Sequence, residues 1–200
     1  MSPKAKILLT SFLILLFAGI TFIPFISFHE ARANALGWRF YDPISELLPA
    51  ANVSLPIFSI TYGSLVLYMI FSYRKENFIA RLMLAYGLIL LFRMATLTFV
   101  PLQAPKSFVY LEDPFLNHLI YPGNIKNDLF FSGHTALVFT IFLLSGRKWI
   151  FLILTLLIGV LVMVQRVHYS IDVIAAIPFA WLSAYLTNRF IGWWENRNNE

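Results

Sequence analysis

Along the chain, six stretches of nearly unbroken apolar residues alternate with short polar segments. A helix that crosses a bilayer needs about 20 predominantly apolar residues. The runs predict six spans: about Ala5 to Ile26, Leu55 to Tyr73, Phe78 to Val100, Phe131 to Leu144, Trp149 to Val164 and Tyr169 to Phe190. The last three are shorter or more polar at one end, and the fourth has the least defined start. The expected fold class is an all-α integral membrane protein, with residues 1–200 as a single membrane domain.

Composition narrows the reading. Of 200 residues, 59% are hydrophobic and only 12% are charged, against about a quarter charged in a soluble domain. With nine Gly and ten Pro, collagen-like and disordered classes are also excluded. The chain has no Cys, so disulfides, a thiolate nucleophile and Cys-ligated metals are ruled out. Its formal charge of +5 comes from basic residues at the ends of apolar runs, which fits membrane topology and implies the bilayer, not nucleic acid, as partner.

Lys and Arg near span ends stay on the cytoplasmic side. In a six-span arrangement Lys4, Lys6, Arg74, Lys75, Arg81, Arg147, Lys148, Arg189 and Arg197 share one side, which places both termini in the cytoplasm. The other side carries Arg32, Arg39, Arg93, Lys106, Lys126 and Arg166 with seven acids, and all four histidines, His29, His118, His134 and His168. A cleaved signal peptide ending near Ala31-Arg32-Ala33-Asn34-Ala35 is the alternative for residues 1–35. The apolar run of about 22 residues is longer than a signal peptide's 7–15 and favours an uncleaved first span.

Two outer segments are longer than turns. Residues 29–54 carry Trp38, Phe40 and Tyr41, then Asp42-Pro43 as a capped start to a short helix expected at the interface. Residues 101–130, broken by Pro101, Pro105, Pro114 and Pro122-Gly123, form a lid or a packed connector.

Charged groups inside spans are expensive and mark candidate function. Arg93 and Thr96 lie three residues apart on one helix face. Ser132 is an N-cap, Gly133 permits close approach, and the free amides of a helix start attract anions beside His134 and Thr135. Asp172, four residues after His168, can orient its imidazole and leave the other nitrogen as nucleophile or base. Taken singly, each segment has a plain structural reading: a snorkelling Arg, a helix cap, a polar contact. All three fall at the outer ends of the third, fourth and sixth spans, where one cavity can hold them.

These segments resemble the phosphatidic acid phosphatase type 2 superfamily, and within it the sphingomyelin synthase-like branch. The resemblance rests on Asp128-xxx-Ser132-Gly133-His134-Thr135, on His168-Tyr169-Ser170-x-Asp172-Val173, and on Arg81 with Arg93-xx-Thr96. It covers residues 78–185 and implies a six-helix bundle of that family. It also implies phosphoryl transfer with no metal or other cofactor. His168 is implied as the nucleophile, Asp172 as its orienting anion and His134 as general acid and base. Arg93, Ser132 and Gly133 are implied to hold the phosphate, with Asp128, Arg166, Thr96 and Thr135 as further candidates. Against the phosphatase branch's usual pattern, Tyr86 stands in the place of a Lys, Met94 and Phe131 in the places of Pro, and Val162 in the place of an Arg that Arg166 can replace.

The expected function is transfer or removal of a phosphate-containing group on a membrane lipid at the outer face of the cytoplasmic membrane, facing the periplasm or exterior. Phosphatidic acid, phosphatidylglycerophosphate, and phospholipid or sphingolipid headgroup donors are the candidate substrates. The short chain leans toward a lipid phosphatase. The branch resemblance leans toward a headgroup phosphotransferase with ceramide or diacylglycerol as acceptor. A small anion or proton transporter is the non-enzymatic alternative.

Overall fold

The computed structural model describes residues 1–113 and 125–197; Pro114, His118, Pro122 and Gly123, placed in the outer loop above, lie outside them. Among the described residues there are seven helices and no strand: α1 (Pro3–Leu36), α2 (Pro43–Glu46), α3 (Ser54–Ser72), α4 (Phe78–Phe99), α5 (Gly133–Leu144), α6 (Trp149–Val164) and α7 (Ser170–Arg197). Four of them, α1, α3, α4 and α7, are long and apolar enough to cross a membrane. Apolar α5 and α6 have 12 and 16 residues, about 18 and 24 Å against a hydrocarbon core of about 30 Å.

Helix α1 starts at an N-cap, where Ser2 Oγ accepts from the Ala5 amide, and Pro3 occupies a position that needs no amide donor. It runs about ten residues beyond the apolar stretch because Ala31, Ala33, Ala35 and Leu36 are strong helix formers. Asn34 donates to Glu30 one turn back at 3.2 Å. The residues read as the start of an interfacial segment therefore continue the helix, and the A-x-A stretch lies inside it with Ala33 buried. At Gly37 a Cβ would come within 2.5 Å of the Ala33 and Pro101 carbonyl oxygens, so a residue without a side chain is required where the chain leaves α1.

At the centre sits α5, with eight of its twelve residues buried, packed against α3, α4, α6 and α7. A helix apolar on all sides belongs inside a bundle. α1 packs along α4, and Gly87 makes this close: a Cβ there would lie 3.2 Å from the backbone of Leu15. α3 rests on α5 and α6, and α1 and α3 share no extended interface. Outward-facing Phe17, Ile20, Val66, Leu156 and Ile174 are exposed, an apolar exterior of the kind that a helical membrane protein presents to lipid.

The bundle has two chemically different ends. At one, Lys4 pairs with Glu76 at 2.7 Å, Arg81 reaches Asn188 at 2.6 Å and Glu195 at 3.4 Å, and Lys75 donates to the Leu144 carbonyl. Arg93, His134 and His168 belong to the other.

Candidate active site

The chain approaches α5 through an irregular stretch that is largely buried, with Asn127, Leu129, Phe131 and Ser132 almost inaccessible. Ser132 is the N-cap of α5: its Oγ accepts from the Thr135 amide at 3.4 Å and the Thr135 hydroxyl at 3.0 Å. The backbone amide of Ser132 donates to the Asp172 carbonyl at 3.0 Å. One main-chain bond thus ties the start of α5 to the first turn of α7 and brings the two histidine segments together.

His168 and Tyr169 precede α7, so the pairing of His168 with Asp172 is made by a cap, not along one helix face. Asp172 Oδ2 accepts the Tyr169 amide at 2.8 Å, which folds the His168 segment back over the first turn. His168 Nδ1 lies 3.4 Å from that same oxygen, off the line of a hydrogen bond. Asp172 is fully buried and its Oδ1 has no hydrogen-bond partner.

Toward the C-terminal end of α4, Arg93 is buried. Its guanidinium pairs with the Asp128 carboxylate and donates to the Phe131 carbonyl. It also lies against Gly133, where a Cβ would come within 3.3 Å of Nη1. Gly133 therefore permits Arg93 to reach the start of α5, so a cation and a helix N-terminus converge on one point. That is an anion-binding arrangement, and Asp128 supplies a carboxylate to it.

Arg93, Asp128, Gly133, His134 and His168 all line one cavity of about 920 Å³. The His134 ring stands edge-on to Phe58, centroids 5.5 Å apart, and Tyr86 lines the same space. Below these groups the lining is apolar: Leu15 of α1, Leu65 of α3, Leu82 and Met83 of α4 and Leu137 of α5. Tyr62, Glu112, Asp113 and Lys126 form a second polar border, in which the Tyr62 hydroxyl donates to Asp113 at 2.8 Å. Among the described residues no three His, Asp or Glu side chains gather as a metal cage.

Ser132, whose hydroxyl caps α5, and Asp172 do not line this cavity, and neither do three further candidates. Thr96 donates to the carbonyls of Phe92 and Phe130 and ties α4 to the approach strand of chain. The hydroxyl of Thr135 is spent on Ser132. Arg166, at a left-handed turn after α6 with φ 58°, points to the Leu48 carbonyl at 2.9 Å and to Glu46 at 3.5 Å, and does not line the cavity.

Residues outside the motifs hold the site in place. Asn127 is gripped by Glu30, Asn34, His29 and the Ala104 amide, which fixes the neighbouring Asp128 beside Arg93. Gln165 donates to Ser54 and the Tyr110 carbonyl; a buried amide ending an apolar run was its one visible signal. Asp42 caps α2 as expected, accepting from the amides of Ile44 and Ser45. Unforeseen is its second role: it accepts the Ser170 amide at 2.5 Å and the Ser170 hydroxyl at 2.9 Å. The segment between α1 and α3 is thereby pinned two residues after His168.

Burial alone would raise the pKa of Asp42, but the hydrogen bonds from Ser170 and Ser45 outweigh it and hold the carboxyl below the usual carboxylate range. A lowered folded-state pKa gives stability that is present above the unfolded value and lost as pH falls through the folded one. Asp42→Asn should therefore unfold more readily at neutral pH, by about 1–3 kcal/mol for a buried donor left unsatisfied. The gap from wild type should close as the pH falls below about 4. Thermal unfolding in detergent from neutral to acid pH checks this; a gap that persists undiminished in acid contradicts it.

No family model, curated protein or solved structure matches the chain.

Proposed function

We propose that the protein is a phosphoryl-transfer enzyme of the phosphatidic acid phosphatase type 2 kind, acting on membrane lipid phosphates through a phosphohistidine intermediate, with hydrolysis favoured. The observation that carries this reading is the single cavity shared by His168, His134, Arg93 and the start of α5. Those are the parts that displacement at phosphorus requires: a nucleophile, a proton donor and donors for the non-bridging oxygens.

In the proposed cycle His168 attacks phosphorus through the ring nitrogen remote from Asp172, whose carboxylate stabilises the imidazolium as it forms. His134 protonates the departing alkoxide and then takes a proton from the water that attacks phosphorus, whose bond to His168 breaks to free the imidazole and release phosphate. Arg93 and the first amides of α5 bind the non-bridging oxygens, on which charge concentrates. The incoming phosphate takes the place of the Asp128 carboxylate on Arg93.

Six crossings are part of the proposal. α5 and α6 complete the four long helices, α5 being extended by the buried stretch before it; irregular backbone is tolerated at membrane depth where protein covers it. The end bearing Lys4, Lys75 and Arg81 is assigned to the cytoplasm with both termini. The catalytic end then faces the exterior or periplasm.

The test is incubation of purified protein with phosphatidic acid, phosphatidylglycerophosphate, phosphatidylcholine, ceramide and diacylglycerol, followed by mass spectrometry and phosphate release. Free phosphate is the expected product. A new headgroup-bearing lipid would instead identify a transferase and its acceptor, and no change in any lipid would remove the reading.

A further inference from the structure

The catalytic groups occupy only the outer end of the cavity. Along α4 its lining descends from Arg93 through Leu90 and Tyr86 to Met83 and Leu82, eleven residues or about 16 Å at 1.5 Å each. The neighbouring helices descend in parallel: α1 from Phe22 to Leu15 and α3 from Phe58 to Leu65. Such a slot, with an anion-binding end and an apolar floor, is complementary to an amphiphile with a phosphate head and a hydrocarbon tail. Its depth is close to half of a hydrocarbon core of about 30 Å, the reach of a chain confined to one leaflet.

The walls also define an access route. Gly87 brings α1 onto α4 at the level of Leu15, which closes that side. Among the described residues α1 and α3 both line the cavity yet share no extended interface, which leaves the side between them for a tail to pass from the lipid.

We infer that the slot is a hydrocarbon ruler: it takes one chain of a phosphate-bearing lipid through the gap between α1 and α3, and Leu82, with Leu65 and Leu15, sets the greatest chain length held. This rests on the lipid-phosphate reading for the identity of the head and adds a specificity that the catalytic groups do not confer. A chain that stops short of the floor leaves apolar lining uncovered, and each added methylene gains affinity. A chain that passes the floor must bend or leave, because a packed apolar wall does not yield to extra volume without strain.

Binding can be read without turnover. A series of n-alkyl phosphonates from hexyl to octadecyl, competing with a fluorescent alkyl phosphonate in nanodiscs at a fixed lipid-to-protein ratio, should bind more tightly as the chain grows and stop gaining at one length. Leu82→Trp should move that break to a shorter chain and weaken the longest ligand by about tenfold or more, the scale of one misfitting methylene in a pocket. Short ligands should remain within about twofold, since they do not reach the changed residue. Leu82→Ala should move the break to a longer chain and serves as the second variant if the Trp protein does not fold. A break at the same length in the folded variants, or affinity that rises without one, overturns the ruler. Movement of the break with no turnover of any lipid phosphate leaves the ruler standing and removes the enzymatic reading; turnover with an unmoved break does the reverse.

Discussion

His168→Ala should abolish the proposed turnover, lowering the rate by at least about 10⁴-fold, the scale on which loss of a nucleophile is felt in covalent catalysis. With it goes any phosphoprotein label trapped by rapid acid-free quenching from a radiolabelled lipid phosphate. The variant should remain folded, because the imidazole makes no hydrogen bond on which the fold depends: Nδ1 has no hydrogen-bond partner and the α7 cap is built from the Tyr169 amide and Asp172. Asp172→Asn behaves differently. It removes the anion beside Nδ1 and weakens the cap, so labelling persists but slows strongly and thermal stability falls. Single-turnover labelling beside a melting curve separates the two variants, and undiminished activity in purified His168→Ala protein would rule out the phosphohistidine mechanism.

The second large effect is expected at Arg93. Arg93→Lys keeps a cation near Asp128 but lacks the planar fork that reaches Phe131 and lies against Gly133. Its kcat should fall by about 10²–10³-fold, the cost of one donor to a developing oxyanion, while the melting temperature changes little. Arg93→Ala should lose activity and stability together, since it strips the partner from a partly buried carboxylate. Adding Asp128→Asn to that variant should recover stability and not activity. This double-mutant cycle separates the two roles; lysine retaining activity within about twofold of wild type would show that Arg93 does not hold the phosphate.

Much of the helical layout was legible from hydrophobic runs. Spans expected at Leu55 to Tyr73, Phe78 to Val100 and Trp149 to Val164 correspond to helices Ser54–Ser72, Phe78–Phe99 and Trp149–Val164, because a long apolar run bounded by charge leaves a helix few other places to end. The C-terminal end of α1 was not legible. Its last ten residues are helical through good formers and contacts to Asn127 and Thr98 that lie some 65 to 100 positions away. The start of α5 was legible, because Ser132 reads as its N-cap; that the Ser132 amide would turn to the Asp172 carbonyl was not. Motif spacing singled out Arg93, Asp128, Gly133, His134 and His168, which the fold brings to one cavity. It equally singled out Thr96, Thr135 and Arg166, whose polar groups serve backbone carbonyls, a cap and Glu46.

The sequence by itself determined that this is an all-helical chain with apolar segments suited to a bilayer, and which polar residues stand out against them. Both follow from local composition: apolar runs form helices wherever they lie, and a charge in such a run is visible without knowing its neighbour. The tertiary structure alone decided which of those polar groups share a space and how deep that space runs. Asp42 at the cap of α7, Asn127 behind Asp128 and the slot beneath Arg93 are products of contact between distant segments, set by where the hydrogen bonds of the irregular stretches are satisfied.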